Sequence, residues 1–87
     1  MITARVGQTV SLALPETPGT GYRWRLTSAL KVVSDEFHPY GTTPGAGGER
    51  VFVVEVSGPG RHELRAELVR PWEATARDAR TFVVEAR

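Results

Sequence analysis

Apolar and polar residues alternate one for one in several short segments of this chain. Val10, Leu12 and Leu14 are separated by small or polar residues, and segments 22–26 and 64–68 follow the same pattern. Successive side chains on a β-strand point to opposite faces, so this alternation predicts strands with one buried face. Gly, Pro, Ser and Asp separate the segments, which favours an antiparallel all-β domain.

The alternation predicts seven short strands. They lie near residues 2–6, 9–14, 22–27, 30–33, 51–57, 61–69 and 80–86. This number of strands in under about 100 residues is typical of an immunoglobulin-like β-sandwich of about seven or eight strands. At 87 residues the chain has room for a single domain, residues 1–87.

Three local patterns refine this fold. Segment 51–57 is apolar on both sides for part of its length, so it is expected in the centre of a sheet. The sequence SGPG at 57–60 predicts a tight hairpin. Segment 73–80 has no apolar face and predicts a loop with at most one helical turn.

Composition excludes several classes of function. Eleven basic and ten acidic residues are interspersed and give a net charge of +1, which argues against a nucleic-acid partner. The absence of cysteine excludes disulfides and thiolate chemistry. No apolar run approaches the roughly 18 residues of a membrane helix. We therefore expect a protein with no membrane span, no metal and no cofactor, and we expect it to be a monomer.

The N-terminal sequence MITARVGQTV lacks the apolar run of a secretory signal. It predicts a cytoplasmic protein if Met1 is the natural start, and a secreted or periplasmic one if a signal was removed. Arginine outnumbers lysine, with Lys31 the one lysine, which suggests a GC-rich bacterial gene.

Histidine gives little support for catalysis. His38 falls in a predicted loop without a nucleophile motif, and His62 falls on the inward face of a predicted strand. We therefore predict that the chain is not an enzyme. A hydrolase that uses one of these histidines remains the third hypothesis for function.

We expect the functional residues in three connections that are longer than simple turns or unusual in composition. Segment 15–21 is rich in Pro, Thr and Gly; segment 34–50 is longer than most unstructured loops; and segment 70–79 opens on RPWE. Loops of this kind carry binding residues more often than regular elements do.

Each loop motif also has a structural interpretation. TPGTGYRW, residues 17–24, reads as a turn before a core strand, and it lacks the spacing of a phosphate-binding loop. GAGG, residues 45–48, reads as flexible chain when taken alone. In RPWE, Trp72 either folds back onto the core or is displayed for a partner, and the sequence leaves both open.

Taken together, LPETPGTGYRW, GAGG and LVRPWE resemble the signature segments of the chagasin family of cysteine protease inhibitors. The family pattern reads approximately Asn-Pro-Thr-Thr-Gly-aromatic-x-Trp, then Gly-x-Gly-Gly before a strand, then Arg-Pro-Trp after the next long strand. The resemblance runs from about residue 6 to residue 84 and implies an immunoglobulin-like sandwich with three loops at one end.

The resemblance also implies reversible inhibition of papain-like cysteine proteases through three loops that occlude the active-site cleft. The first segment is expected to enter the cleft as a wedge that blocks the protease without being cleaved. GAGG is expected to lie on the non-primed side of the cleft, and RPW is expected to bind the primed side. The implied protease-binding residues are Thr17, Pro18, Gly19, Thr20, Gly21, Tyr22, Gly45, Ala46, Gly47, Gly48, Arg70, Pro71 and Trp72.

Two positions depart from the family pattern. Thr17 stands in place of Asn and is expected to make a weaker side-chain turn bond. Gly19 stands in place of the first Thr and is expected to loosen the loop by roughly 0.4–1 kcal/mol. A non-inhibitory immunoglobulin-like binding module is therefore the alternative hypothesis for function.

Overall fold

The computed structural model describes residues 1–43 and 45–87, which form seven β-strands. The strands are β1 (Ile2–Ala4), β2 (Thr9–Glu16), β3 (Arg23–Ser28), β4 (Lys31–Pro39), β5 (Gly48–Glu55), β6 (Gly60–Val69) and β7 (Asp78–Ala86). A single 3-10 turn, Pro18–Thr20, lies between β2 and β3. The all-β prediction is confirmed.

The strands form two sheets. One has the order β1-β7-β6-β3 and the other the order β2-β5-β4. Neighbouring strands are antiparallel except β1 and β7, which run parallel. Strand β5 lies between β2 and β4, so its predicted central position is confirmed.

The core lies between the two sheets and is built from the alternating positions of the sequence. Its buried members are Ala4, Val10, Leu12, Leu14, Trp24, Leu30, Phe52, Val54, Val56, Leu64, Ala66, Val84 and Ala86. In β2 and β6, for example, alternation in sequence becomes alternation of buried and more exposed side chains.

The predicted hairpin at SGPG is wrong. Strands β5 and β6, which flank it, lie in different sheets. Both edges of β5 are already paired, one with β2 and one with β4, so β6 has no free edge of β5 to join. Residues 56–59 instead cross from one sheet to the other.

The long loop predicted at 34–50 is also shorter than expected. Strand β4 continues to Pro39 and β5 begins at Gly48, which leaves residues 40–47 as the connection. Most side chains of β4 are exposed because β4 is an edge strand, so it shows no apolar alternation in the sequence. The 73–80 segment begins as a loop, as predicted, but its last residues belong to β7.

The strand registers bring three connections to one end of the sandwich. We call residues 17–22 the first loop, residues 40–47 the second loop and residues 70–77 the third loop. Glu16 pairs with Gly48 across β2 and β5, which places the first loop beside the second. Arg23 pairs with Val69 across β3 and β6, which places the first loop beside the third.

Within residues 1–43 and 45–87, the structure contains no helix long and apolar enough to cross a membrane.

Candidate functional site

The first loop is a compact turn held by its own hydrogen bonds. Thr20 N donates to Thr17 O at 3.1 Å, and Gly21 N donates to Pro18 O at 2.9 Å. The hydroxyl of Thr20 donates to Thr17 O at 2.7 Å and accepts from Tyr22 N at 3.3 Å. Thr17 itself makes no side-chain cap bond, so the turn bond predicted for Thr17 is wrong. Thr20 performs that role instead.

Residues 17–20 of this turn are exposed. The loop therefore presents a narrow edge with small side chains to solvent. Gly19 has open space around the position of an added Cβ and lies outside the left-handed backbone region. Its conformation is therefore available to other residues.

Gly21 is constrained in a way that Gly19 is not. Its φ is +82°, a left-handed conformation that residues with a side chain adopt at a cost. An added Cβ would lie 3.0 Å from Cη2 of Trp72. Glycine at this position therefore lets the first loop turn and lets Trp72 pack directly against it.

Arg70 joins the third loop to the first. Its Nε donates to Thr20 O at 3.0 Å, and its Nη1 donates to Oε1 of Glu73 at 3.0 Å. The guanidinium also stacks over Tyr22, with Cζ 4.1 Å from the ring centroid, and lies 5.7 Å from the centroid of Trp72. Tyr22 OH donates to Oε2 of Glu73 at 3.4 Å, which adds a second link between the loops.

Trp72 is displayed and does not fold back onto the core. It is 71% exposed, whereas Trp24 in β3 is 2% exposed. Of the two alternatives that the sequence leaves open for Trp72, folding back onto the core is wrong, and display for a partner stays a prediction. A large exposed ring, supported underneath by Gly21 and Arg70, is the kind of residue that anchors protein interfaces.

The second loop meets the first through Gly47. An added Cβ there would lie 3.3 Å from Oγ1 of Thr17, so a larger residue would push the two loops apart. Gly45 is exposed and has φ +82°, and Ala46 N donates to Thr43 O at 3.1 Å. These contacts place Gly45, Ala46 and Gly47 on the same end of the sandwich as the first loop.

Gly48 differs from the other glycines of the GAGG segment. It is buried as the first residue of β5, and an added Cβ would lie 2.8 Å from Cα of Pro39 and clash with the His38 carbonyl oxygen. Gly48 was predicted among the contact residues. That prediction stays untested, and the structure shows that glycine at this position allows β4 and β5 to approach closely at the base of the second loop.

A buried ion pair fixes the base of the loops, and sequence reasoning did not predict it. Glu16, with a side chain 1% exposed, accepts from Nε and Nη2 of Arg50 at 3.1 and 2.9 Å. Its other oxygen accepts from Trp24 N at 2.9 Å. Arg50 also donates to Asp35 at 3.0 Å, and Asp35 lies 3.6 Å from Arg23. This network ties β2, β5 and β4 to β3 across the two sheets.

The surroundings of Arg50 favour its charged form. Burial alone would lower the pKa of its guanidinium, but the hydrogen bonds and charges of Glu16 and Asp35 outweigh burial and raise that pKa above its ordinary value. The sequence does contain a signal that Glu16 faces the core. It follows Val10, Leu12 and Leu14 at the same spacing, so it occupies an inward position of β2.

The two histidines lie on different strands, His62 on β6 and His38 on β4. Nε2 of His62 lies 2.8 Å from the carbonyl oxygen of Gly58, beside the crossing at the end opposite the three loops. Nε2 of His38 lies 3.2 Å from a carboxylate oxygen of Glu36 on the exposed edge strand β4. Among residues 1–43 and 45–87, no cluster of three or more His, Cys, Asp or Glu residues forms a metal site.

Comparison with known proteins agrees with this geometry. The sequence profile described as "Chagasin family peptidase inhibitor I42" matches residues 3–86. The chain belongs to the chagasin family. It is 32% identical over 92 residues to Chagasin from Trypanosoma cruzi, covering 95% of this chain and 84% of that protein. The family is one of inhibitors, so membership also supports the prediction that the chain is not an enzyme.

Solved structures of similar proteins share the fold. The cysteine protease inhibitor EhICP2 from Entamoeba histolytica matches with a TM-score of 0.83 and 19% identity, over 99% of this chain and 84% of that chain. PbICP-C, solved in complex with falcipain-2, matches with a TM-score of 0.70 and 20% identity, over 99% of this chain and 87% of that one. At these identities the comparison establishes the sandwich architecture of this chagasin-family chain.

Proposed function

We propose that this chain inhibits papain-like cysteine proteases reversibly by placing its three loops in the active-site cleft. Membership of the chagasin family supports the inhibitory activity, and a chain of the same fold has been solved with the protease falcipain-2. The observation that carries the mechanism is the joint surface of the loops: a narrow first loop with an exposed Trp72 packed against it.

The shape of this surface suits a cleft. The first loop is narrow enough to enter as the wedge, because residues 17–20 carry small side chains and the turn is closed by internal hydrogen bonds. Gly45, Ala46 and Gly47 offer backbone groups on one side. Pro71 and Trp72 offer a rigid apolar contact on the other.

The direct experiment is a titration of the protein against papain and a cathepsin L-like enzyme, with residual activity measured on a peptide substrate. We expect tight inhibition that is reversed on dilution. No inhibition at micromolar concentration across several such enzymes would reject the proposal. Capture of a partner outside this protease class would then favour the alternative, a non-inhibitory binding module.

We further expect Trp72→Ala to weaken inhibition by about 2 kcal/mol or more, which is about 30-fold in the inhibition constant. Its ring is the largest exposed apolar group of the three loops. Val6→Ala is the matched control, since Val6 is 45% exposed near the opposite end. An inhibition constant that Trp72→Ala leaves unchanged would place the anchor elsewhere.

A further inference from the structure

Three carbonyl groups of the first loop, those of Thr17, Pro18 and Thr20, have donors within the protein. Thr17 O accepts from the amide and the hydroxyl of Thr20, at 3.1 and 2.7 Å. Pro18 O accepts from Gly21 N at 2.9 Å. Thr20 O accepts from Nε of Arg70 at 3.0 Å, a donor that comes from the third loop. The Thr20–Gly21 peptide therefore depends on a different loop for its orientation.

Orientation decides whether a protease cleaves a bound peptide. A cysteine protease must bring its sulfur to the carbonyl carbon while the carbonyl oxygen points at hydrogen-bond donors of the enzyme. A carbonyl oxygen that accepts from the inhibitor's own donor is oriented by that donor, so turning it toward the donors of the enzyme requires that bond to break. The guanidinium of Arg70 is itself held by Glu73 and by the Tyr22 ring, so the donor is well positioned.

We infer that Arg70 is a positioning residue that protects the first loop from cleavage by holding the carbonyl of Thr20 inward. This inference rests on the proposed function. The step that Arg70 prevents begins when the protease sulfur bonds to the carbonyl carbon of Thr20. The bond to the Gly21 nitrogen breaks, that nitrogen takes a proton from the protease histidine, and water then releases Thr20 as a carboxylic acid.

Two substitutions of Arg70 separate its donor from its charge. Arg70→Gln keeps a nitrogen donor at the same distance along the side chain as Nε, whereas Arg70→Met has similar length and no donor. Both lose the ion pair with Glu73. Each variant and the wild type are incubated with papain, and cleavage sites are identified over time by mass spectrometry. We expect Arg70→Met to be cut at Thr20–Gly21 about tenfold faster than Arg70→Gln, and the wild type to stay intact.

Digestion with thermolysin reports general unfolding of each variant. If Arg70→Met is sensitive to thermolysin, Arg70→Leu serves as a second variant without a donor. Equal cleavage of the Met and Gln variants, no cleavage of either, or cleavage only outside the first loop would overturn the inference. A wild type that fails to inhibit papain would instead reject the proposed function, so the two failures are distinguishable.

Discussion

At the scale of single residues, Gly19 and Gly21 stand two positions apart in the first loop but meet different constraints. Gly21 combines φ +82° with the ring of Trp72 directly above it. Gly19 has open space and an ordinary backbone conformation. The fold therefore does not require glycine at position 19, and the loosening of the loop by Gly19 stays a prediction.

This difference predicts opposite results for two alanine substitutions. Gly21→Ala is expected to destabilise the protein by about 1–3 kcal/mol, because alanine is strained at this φ and its Cβ would displace Trp72. Gly19→Ala is expected to leave stability unchanged or to raise it by up to about 1 kcal/mol, since it restricts the unfolded chain. Denaturant unfolding of both variants measures this. Equal destabilisation by the two substitutions would contradict the assignment.

At the scale of elements, the sequence predicts a strand best when one or both of its faces are buried. The sequence predicts that β5 is central because apolar residues continue on both faces, and the sheet order confirms it. The sequence predicts only the start of β4, because an exposed edge strand is held by backbone pairing and has little apolar alternation. The sequence also does not predict which strands pair with each other. Gly and Pro at 57–60 indicate a turn, but they do not show that both edges of β5 are already paired, so the chain crosses to the other sheet there.

For the candidate site, the motifs indicate where the three loops lie in the sequence, but they do not predict the side-chain contacts that fix the loops in place. The motifs named Trp72 and Gly21, whereas the contact between them follows from the register of β3 with β6. The ion pair of Glu16 with Arg50 joins residues 34 positions apart. Glu16 lies in the first signature segment and Arg50 directly after GAGG and Glu49, but no motif pairs the two residues, and only the inward position of Glu16 indicates burial.

The buried pair gives a prediction at this scale. Glu16→Ala is expected to destabilise the fold by about 3–5 kcal/mol, because it leaves the Arg50 charge and the Trp24 amide without their buried partner. Glu67→Ala is the control, since its partner Arg25 is 63% exposed and the two charges are 3.5 Å apart, so its loss should cost about 1 kcal/mol or less. Thermal and denaturant unfolding report both. A Glu16 variant as stable as the Glu67 variant would show that the pair does not stabilise the sandwich.

At the scale of the whole molecule, the sandwich separates its two ends. The fold measures 42 × 30 × 19 Å, and its ten-residue strand β6 alone spans about 30 Å. The three loops lie at one end, while residues 57–59 and the turn before β2 lie at the other. The first loop and the crossing at 56–59 are comparable connections, because each takes the chain from the β2-β5-β4 sheet to the other sheet.

This separation predicts that equal insertions at the two ends have unequal effects on inhibition. Four Gly/Ser residues inserted between Gly58 and Pro59, or between Pro18 and Gly19, should each cost little stability, since lengthening a surface loop adds about 1 kcal/mol or less. Only the insertion in the first loop should abolish inhibition, because it breaks the turn closed by Thr20 and Gly21. Inhibition constants and unfolding midpoints of both variants check this. If the two insertions weakened inhibition equally at equal stability, the first loop would not be the wedge.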